Sequence, residues 1–503
     1  MKRRALLALA ILALLTGVAL ARPGGGDSFS GGGGHGSSSG GGGGAVFELL
    51  YWTIRLIIYY PQVGLPILGG IIVGLIWSSI QKAKNKDWDS GPPVELQRAV
   101  ELADVQRVDP EFSQVAFEDF AFRLFATAQR QRSSADGLAT VAPYVSQLAR
   151  KALLDREPTG EPVLSVVVGA MRAFRADIPA KSDERRTRSS AAGDAEVGDK
   201  VGRVIVGLEF EANVTTAKHT YYSVENWLFG RDVLVQSKPP GAAKTFPCPN
   251  CGAPWEAANT GTQVCASCNQ VVDNGRFDWI VQQVIVTAMD QRPPTVTTDV
   301  PERGTDLPTY RQSDIDGRWM ALRTADPAMT EPALFARLGM IYARLNDAWA
   351  HNDLVPVRGL VSDGLYDYLQ YWITTYKQQG YRNELVDMRI THSSIAKIVR
   401  DKWFVAITIR VWGTGKDYVV KIANGALVRG SKHRERTYSE YWTLIRSTAK
   451  QGEPKAAPAC PNCGAPLEQI TQAGDCEHCG AHVTAGEFDW VLSKIEQDDT
   501  YRG

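Results

Sequence analysis

Cys248-Pro249-Asn250-Cys251 is answered by Cys265-Ala266-Ser267-Cys268, and Cys460-Pro461-Asn462-Cys463 by Cys476-Glu477-His478-Cys479. These eight are all the cysteines in the chain. Each set is C-x-x-C, then 13 or 12 residues, then C-x-x-C, the spacing of a four-thiolate zinc ribbon. Gly252, Gly464, Asn269 and Gly480 follow second-position cysteines and tolerate the positive φ of a metal knuckle. Disulfides and redox-active dithiols are the alternatives, but a redox dithiol rarely brings a second dithiol at ribbon distance. The expectation is two structural zinc ions, each closed by four thiolates with no position left for water. His478 could substitute as a ligand, although an exposed turn residue is the simpler reading.

Working outward, the repeat exceeds the cysteines. Eleven residues beyond Cys268 stands Trp279, in Phe277-Asp278-Trp279; eleven beyond Cys479 stands Trp490, in Phe488-Asp489-Trp490. Upstream lie Glu225-Asn226-Trp227 and Glu440-Tyr441-Trp442, and further upstream Asp109-Pro110 and Asp326-Pro327. From that Asp to the first ribbon cysteine is 139 residues in one copy and 134 in the other, so a domain plus a ribbon has been used twice. A period this long is domain duplication rather than a solenoid.

In the second copy Leu334, Leu338, Ile341, Leu345 and Trp349 recur at helical spacing, and a second helix runs through Leu365 to Tyr376, ending near Gly380. Val405, Ile407, Ile409 and Val411 then alternate with Ala406, Thr408 and Arg410, predicting a half-buried strand, with further strands at Tyr418–Ile422 and Arg436–Arg446. The first copy repeats the order, with Phe117, Phe120 and Leu124 on a helix and Val204, Val206, Leu208 and Phe210 on a strand face. Helices followed by consecutive strands predict an α+β domain with an antiparallel sheet. Residues 183–200 read as a polar loop.

The amino terminus reads differently. Met1-Lys2-Arg3-Arg4, an uncharged stretch to Leu20 and Ala19-Leu20-Ala21 predict a signal peptide over 1–21, with an uncleaved anchor as the alternative. Residues 22–44 are a Gly/Ser-rich tether. Leu56–Trp77 carries no charge over 22 residues, roughly 33 Å as a helix, and predicts a transmembrane segment within 45–80. Lys82, Lys84 and Lys86 then place the remainder in the cytosol by the positive-inside rule, and thiolate zinc sites favour the same reducing compartment. A bacterial inner membrane is the expected location. The domain boundaries follow: a linker at 81–95, first domain 96–237, first ribbon with its following helix or strand 245–290, linker 291–316, second domain 317–450, second ribbon 458–498.

Asp-Pro, an aromatic helix, Gly380-Tyr381-Arg382-Asn383, and strands ending in Glu440-x-Trp442-x-x-x-Arg446 resemble one known domain. It is the C-terminal domain of the mitochondrial inner-membrane import-motor anchor, the forty-four-kilodalton translocase subunit, with its bacterial relatives. The first copy keeps Glu225, Trp227 and Arg231 but has no clear Gly-x-x-Asn. The resemblance implies a cone-like fold of nuclear-transport-factor-two-like shape with an apolar pocket, membrane lipid as a contact, and tethering of protein partners or client polypeptides. It does not imply an enzyme.

The 55 basic and 55 acidic side chains cancel, leaving no broad footprint for nucleic acid, and the Arg185–Arg188 and Lys432–Arg436 runs read as solvated faces. Ribbons that bind nucleic acid carry basic and aromatic neighbours; Lys244, Phe246 and Trp255 flank the first, but Lys455 is outweighed by Glu468 and Glu477 around the second. The seven histidines do not recur with carboxylate partners in both copies, and no Gly-rich phosphate loop follows a strand. A non-enzymatic membrane-anchored scaffold is therefore the leading expectation, with a nucleic-acid-binding ribbon protein, then a pocket enzyme, as alternatives. Glu225 with Trp227, and Glu440 with Trp442, share a sheet face. They either wall the pocket or sit in the core with the glutamates paired to Arg231 and Arg446.

Overall fold

The structure, a computed structural model, describes residues 59, 60, 62, 100–179, 202–240, 246–256, 261–291, 302 and 304–503. The expected signal, tether and loop at 183–200, and the expected span apart from Tyr59, Tyr60 and Gln62, lie outside them. Among the described residues no helix is long and apolar enough to cross a membrane.

The first copy opens with α1 (Gln114–Gln131) and α2 (Gln147–Leu154), then strands β1 (Val163–Asp177), β2 (Arg203–Thr216), β3 (Thr220–Asp232) and β4 (Ile280–Gln291). The second has α3 (Ile315–Ala325), α4 (Glu331–Ala350) and α5 (Asp363–Gln378) before β5 (Tyr381–Arg400), β6 (Phe404–Lys421), β7 (Leu427–Gly430), β8 (Arg436–Ser447) and β9 (Val491–Gln497). The sheets run β1-β2-β3-β4 and β5-β6-β8-β9, antiparallel throughout, with β7 paired to β6. Both copies are thus helices on an antiparallel sheet, the expected α+β class.

The ribbons sit differently from the expectation. The expectation has each ribbon following its domain; each instead interrupts its sheet, between β3 and β4 in the first copy and between β8 and β9 in the second. Trp279 and Trp490 close the ribbons, and the next residues start β4 and β9, which pair back onto β3 and β8. The domain therefore does not end at 237 or 450. Separate strands at Tyr418–Ile422 and after Phe404 are one long β6, and β1 and β5 lack a steady period of two because bulges break it, at Val168/Ala170 and Ala173/Arg175 in β1 and at Val386/Arg389, Ile390/His392 and Ile395/Lys397 in β5.

Helix starts follow from side-chain caps. Ser113, Thr330 and Ser362 each accept from the backbone N–H three residues on. The apolar stripes pack on their sheets: Phe117, Leu124 and Phe125 meet Phe210, Trp227 and Phe229, while Leu334, Leu338 and Ile341 share a core with Ile407, Ile409 and Trp442. The half-buried reading of β6 needs correction, because Thr408 and Arg410 are buried as well. Residues 305–312, expected to be linker, lie over that second face with the C-terminal residues. Arg410 donates to the Leu307 carbonyl at 2.9 Å and pairs with Asp498, while Tyr501 stacks on Tyr441.

The copies also touch. Ser113 donates to Asp401 in the β5–β6 turn, Trp403 Nε1 donates to the Glu111 carbonyl at 3.1 Å, and Lys402 pairs with Glu111. Asn213 on β2 donates to the Tyr371 hydroxyl on α5 at 3.3 Å. Glu118 on α1 pairs with Lys494 on β9. Burial would raise Glu118, but the Lys494 ammonium leaves its carboxyl below the usual range.

Candidate metal centres and the closing motif

The first knuckle of each ribbon turns through glycine in the left-handed region, Gly252 at φ 74° and Gly464 at φ 81°. The second uses Asn269 at φ 55° and Gly480 at φ 69°. This brings each set of four sulfurs within 4.8 Å of one another. Cys248–Cys268 and Cys251–Cys265 are 3.8 Å apart; Cys460–Cys479 and Cys463–Cys476 are 4.0 and 3.8 Å. A disulfide needs about 2.05 Å, and a tetrahedron of metal–sulfur bonds near 2.3 Å has an edge of roughly 3.8 Å. The spacing fits a tetrahedral metal ion and not a disulfide. His478 is exposed and outside both sets.

The local electrostatics split the thiols of each set. Burial raises Cys265, yet backbone N–H groups of Cys268 and Ser267, with the Cys248 thiol, bring it down to about 6. Cys479 is lowered to about 6 by the Ala481 N–H and then by the Asn462 side chain. In each set one partner is pushed the other way, Cys248 by burial and Cys463, against the Ala465 N–H, by burial and its neighbouring thiols, both up to about 12, so a cation at either centre must displace a proton from that sulfur as it binds.

The ribbons differ in attachment. Cys460, Ala465, Leu467, Ile470, Cys476 and Val483 belong to the second domain's core, with Gly359 leaving room for Ile470 and Leu467. Cys248, Cys265 and Val272 instead form a separate small cluster with Trp255 and Phe277. Polar contacts tie that ribbon down: Trp255 Nε1 to the Ala139 carbonyl at 3.0 Å, Tyr144 hydroxyl to the Pro247 carbonyl at 2.9 Å, and Arg150 to Asp273.

The paired Glu and Trp residues sit in the cores. Trp227 and Trp442 are 0% and 1% exposed, and each indole N–H donates to the glutamate two residues earlier, at 3.0 and 2.9 Å. The expected Glu225–Arg231 pair does not form. Glu225 pairs with Arg156 and accepts from Gln129 and Ser223, whereas Arg231 pairs with Asp109 at 2.6 Å. Arg446 likewise pairs with Asp326 at 2.6 Å. The Asp of Asp-Pro and the Arg of the closing strand are thus one buried lock, occurring twice. Each guanidinium also lies over the tryptophan that follows its ribbon, Arg231 on Trp279 at 4.5 Å and Arg446 on Trp490 at 4.8 Å.

Gly380 turns at φ 74° beyond α5, and Asn383 accepts from Trp349 Nε1 at 2.9 Å and donates to Asp417 at 2.7 Å. The first copy has no such Asn; there Arg132, just beyond α1, donates to the Arg156 carbonyl at 2.9 Å. A cavity of about 530 Å³ lies between the start of α4 and the segment leading to the second ribbon, lined by Ala333, Arg446, Lys450, Gly452, Lys455 and Phe488 among others. Glu440 and Trp442 do not line it.

One cluster was missed. His482 Nδ1 meets Asp475 at 2.8 Å, its Nε2 meets the Thr484 hydroxyl at 3.0 Å, and that hydroxyl donates to Asp363 at 2.8 Å. The order Asp-His-Thr has the outline of a nucleophile relay, but Thr484 is 2% exposed and its proton is committed to Asp363. The cluster is a clasp between the second ribbon and α5. Its imidazole is raised above the usual value, first by the hydrogen bond to Asp363, against the cost of burial.

No curated protein matches the chain. Among solved structures, an acyl-CoA hydrolase from Agrobacterium tumefaciens aligns over 72% of this chain and 96% of its own, at 7% identity and a TM-score of 0.10, too low to support any argument. Residues 319–455, from within α3 through β8 to just short of the second ribbon, match the family model of the Tim44-like domain.

Proposed function

We propose that the chain is a non-enzymatic scaffold, anchored to a membrane through its N-terminal region, that presents two docked Tim44-like units to protein partners at the cytosolic face. The Tim44-like match over 319–455 carries this reading. The repeated Asp–Arg lock and Glu–Trp pair extend it to the first copy. Contacts between the copies favour one two-part receptor over two independent modules, so a partner spanning both gains avidity without strong individual sites. Client polypeptides in translocation or membrane-protein assembly are the proposed partners, with membrane lipid a further contact.

The metal is proposed to be zinc, two ions per chain, held by Cys248, Cys251, Cys265 and Cys268 and by Cys460, Cys463, Cys476 and Cys479. Zinc bound by four thiolates supplies folding energy rather than catalysis. Photocrosslinking from each domain in intact membranes tests the scaffold role. Adducts to secretion, insertion or chaperone components are expected; adducts to small molecules or RNA alone would overturn it.

A further inference from the structure

Each ribbon exposes two of its four sulfurs unequally. The first cysteine of each C-x-x-C, Cys248, Cys265, Cys460 and Cys476, is buried. The second faces outward: Cys251, Cys463 and Cys479 are exposed, and Cys268 is partly so. In the second ribbon both outward sulfurs receive a backbone N–H two residues on, from Ala465 to Cys463 and from Ala481 to Cys479. Cys479 alone of the two also receives a side chain from outside the cysteine set. Asn462 Nδ2 donates to Cys479 Sγ at 3.4 Å, and in the first ribbon Asn250 Nδ2 donates to Cys268 Sγ at 3.4 Å. Both asparagines stand inside the first knuckle and reach across to the last cysteine. The same contact, at the same distance, recurs in two ribbons whose sequences between the knuckles differ.

Resting on the zinc reading, we propose that Asn250 and Asn462 are positioning residues that hold Cys268 and Cys479 in place and damp their nucleophilicity. A hydrogen bond to a metal-bound thiolate withdraws charge from sulfur, and a partner of this kind tunes a ligand much as it orients it. The consequence is a graded ribbon. Cys251 and Cys463 are the sulfurs through which an electrophile first opens each centre, and Cys268 and Cys479 are shielded despite facing solvent.

Site-resolved alkylation of the metal-loaded full chain by iodoacetamide tests this. A sulfur–carbon bond forms, the carbon–iodine bond breaks and iodide leaves, while peptide mass spectrometry assigns each rate. In the wild type Cys251 and Cys463 should react ahead of Cys268 and Cys479. Asn250→Ala should speed Cys268 roughly three- to tenfold and leave Cys479 unchanged, and Asn462→Ala should do the reverse. Asn250→Gln, which keeps the amide donor and the reach, should restore part of the protection. In the cobalt-loaded protein, each Ala variant should shift the sulfur-to-metal charge-transfer bands. Unchanged Cys268 and Cys479 rates with two metal ions still bound would overturn the role of the asparagines alone. Equal acceleration of all four sulfurs would also overturn it, by showing a loosened ribbon. A wild-type chain that binds no metal would overturn the zinc reading and this inference together.

Discussion

The Ser113 hydroxyl donates to Asp401 at 2.7 Å, joining residues 288 positions apart, while the same oxygen accepts from Ala116 N–H at 3.2 Å. One atom therefore caps α1 and fastens the first copy to the β5–β6 turn of the second. Ser113→Ala should cost about 1–3 kcal/mol, combining a lost cap with a lost charged hydrogen bond. Hydrogen exchange should quicken both in the first turn of α1 and at Trp403, whose N–H binds the same aspartate. Quickening in α1 alone would mean that the copies are not coupled through this bond.

The two Asp–Arg locks should be among the least replaceable pairs in the protein. Asp326→Asn strands the 3% exposed Arg446, and Asp109→Asn strands Arg231, 1% exposed. Each is expected to destabilise by about 3–5 kcal/mol, the usual result of leaving a buried charge without its partner. Denaturant titration of the single variants measures it, and a loss below about 1 kcal/mol would show the carboxylate to be dispensable.

Losing the metal should have unequal effects in the two copies. Cys251→Ser should open the first ribbon and leave the first domain's helices largely protected from exchange, since that ribbon keeps its own small cluster. Cys463→Ser should reach further, because the second ribbon contributes Leu467, Ile470 and Val483 to the domain core. Equal spread of exchange in both variants would contradict this division.

The His482 clasp gives stability a pH dependence. The imidazole is raised in the folded state, so its contribution is complete below about pH 6.5 and is lost as pH rises through the folded value. Asp363 is pushed up by burial but drawn well below the usual carboxylate range by His482 and Arg358, so its contribution is present above about pH 4 and lost as pH falls through the folded value. The clasp is complete between those limits. His482→Gln should flatten the alkaline side of a stability profile for the second ribbon, and an unaltered slope there would assign the titration elsewhere.

Much of this was legible from residue pattern. Cysteine spacing announced the two four-sulfur clusters because four-thiolate coordination imposes a short local arrangement. Alternation revealed β2 and most of β6, whose core-facing side chains are uniformly apolar. The cores of both copies appeared in the Trp and Phe positions for the same reason. What stayed hidden depended on distant partners. Nothing near Arg231 says that it will meet Asp109 rather than Glu225, since the choice is made by sheet register. Thr408 and Arg410 look solvent-facing because the segments covering them come from 305–312 and the C-terminus. The asparagines of the two knuckles were visible as a repeat, but their reach to the last sulfur belongs to three dimensions.

The placement of each ribbon just before the last strand of its sheet has a kinetic consequence. The chain must travel about 45 residues from β3 before β4 can pair, and about the same from β8 to β9. An unstructured excursion of that length slows the final strand pairing, since closure entropy must be met before the contacts that reward it. A ribbon that has taken up its ion shortens the effective loop and delivers the last strand close to its neighbour. The supply of metal would then set the pace at which each sheet is finished, and starved cells would accumulate intermediates one strand short, with β3 or β8 left as a bare edge.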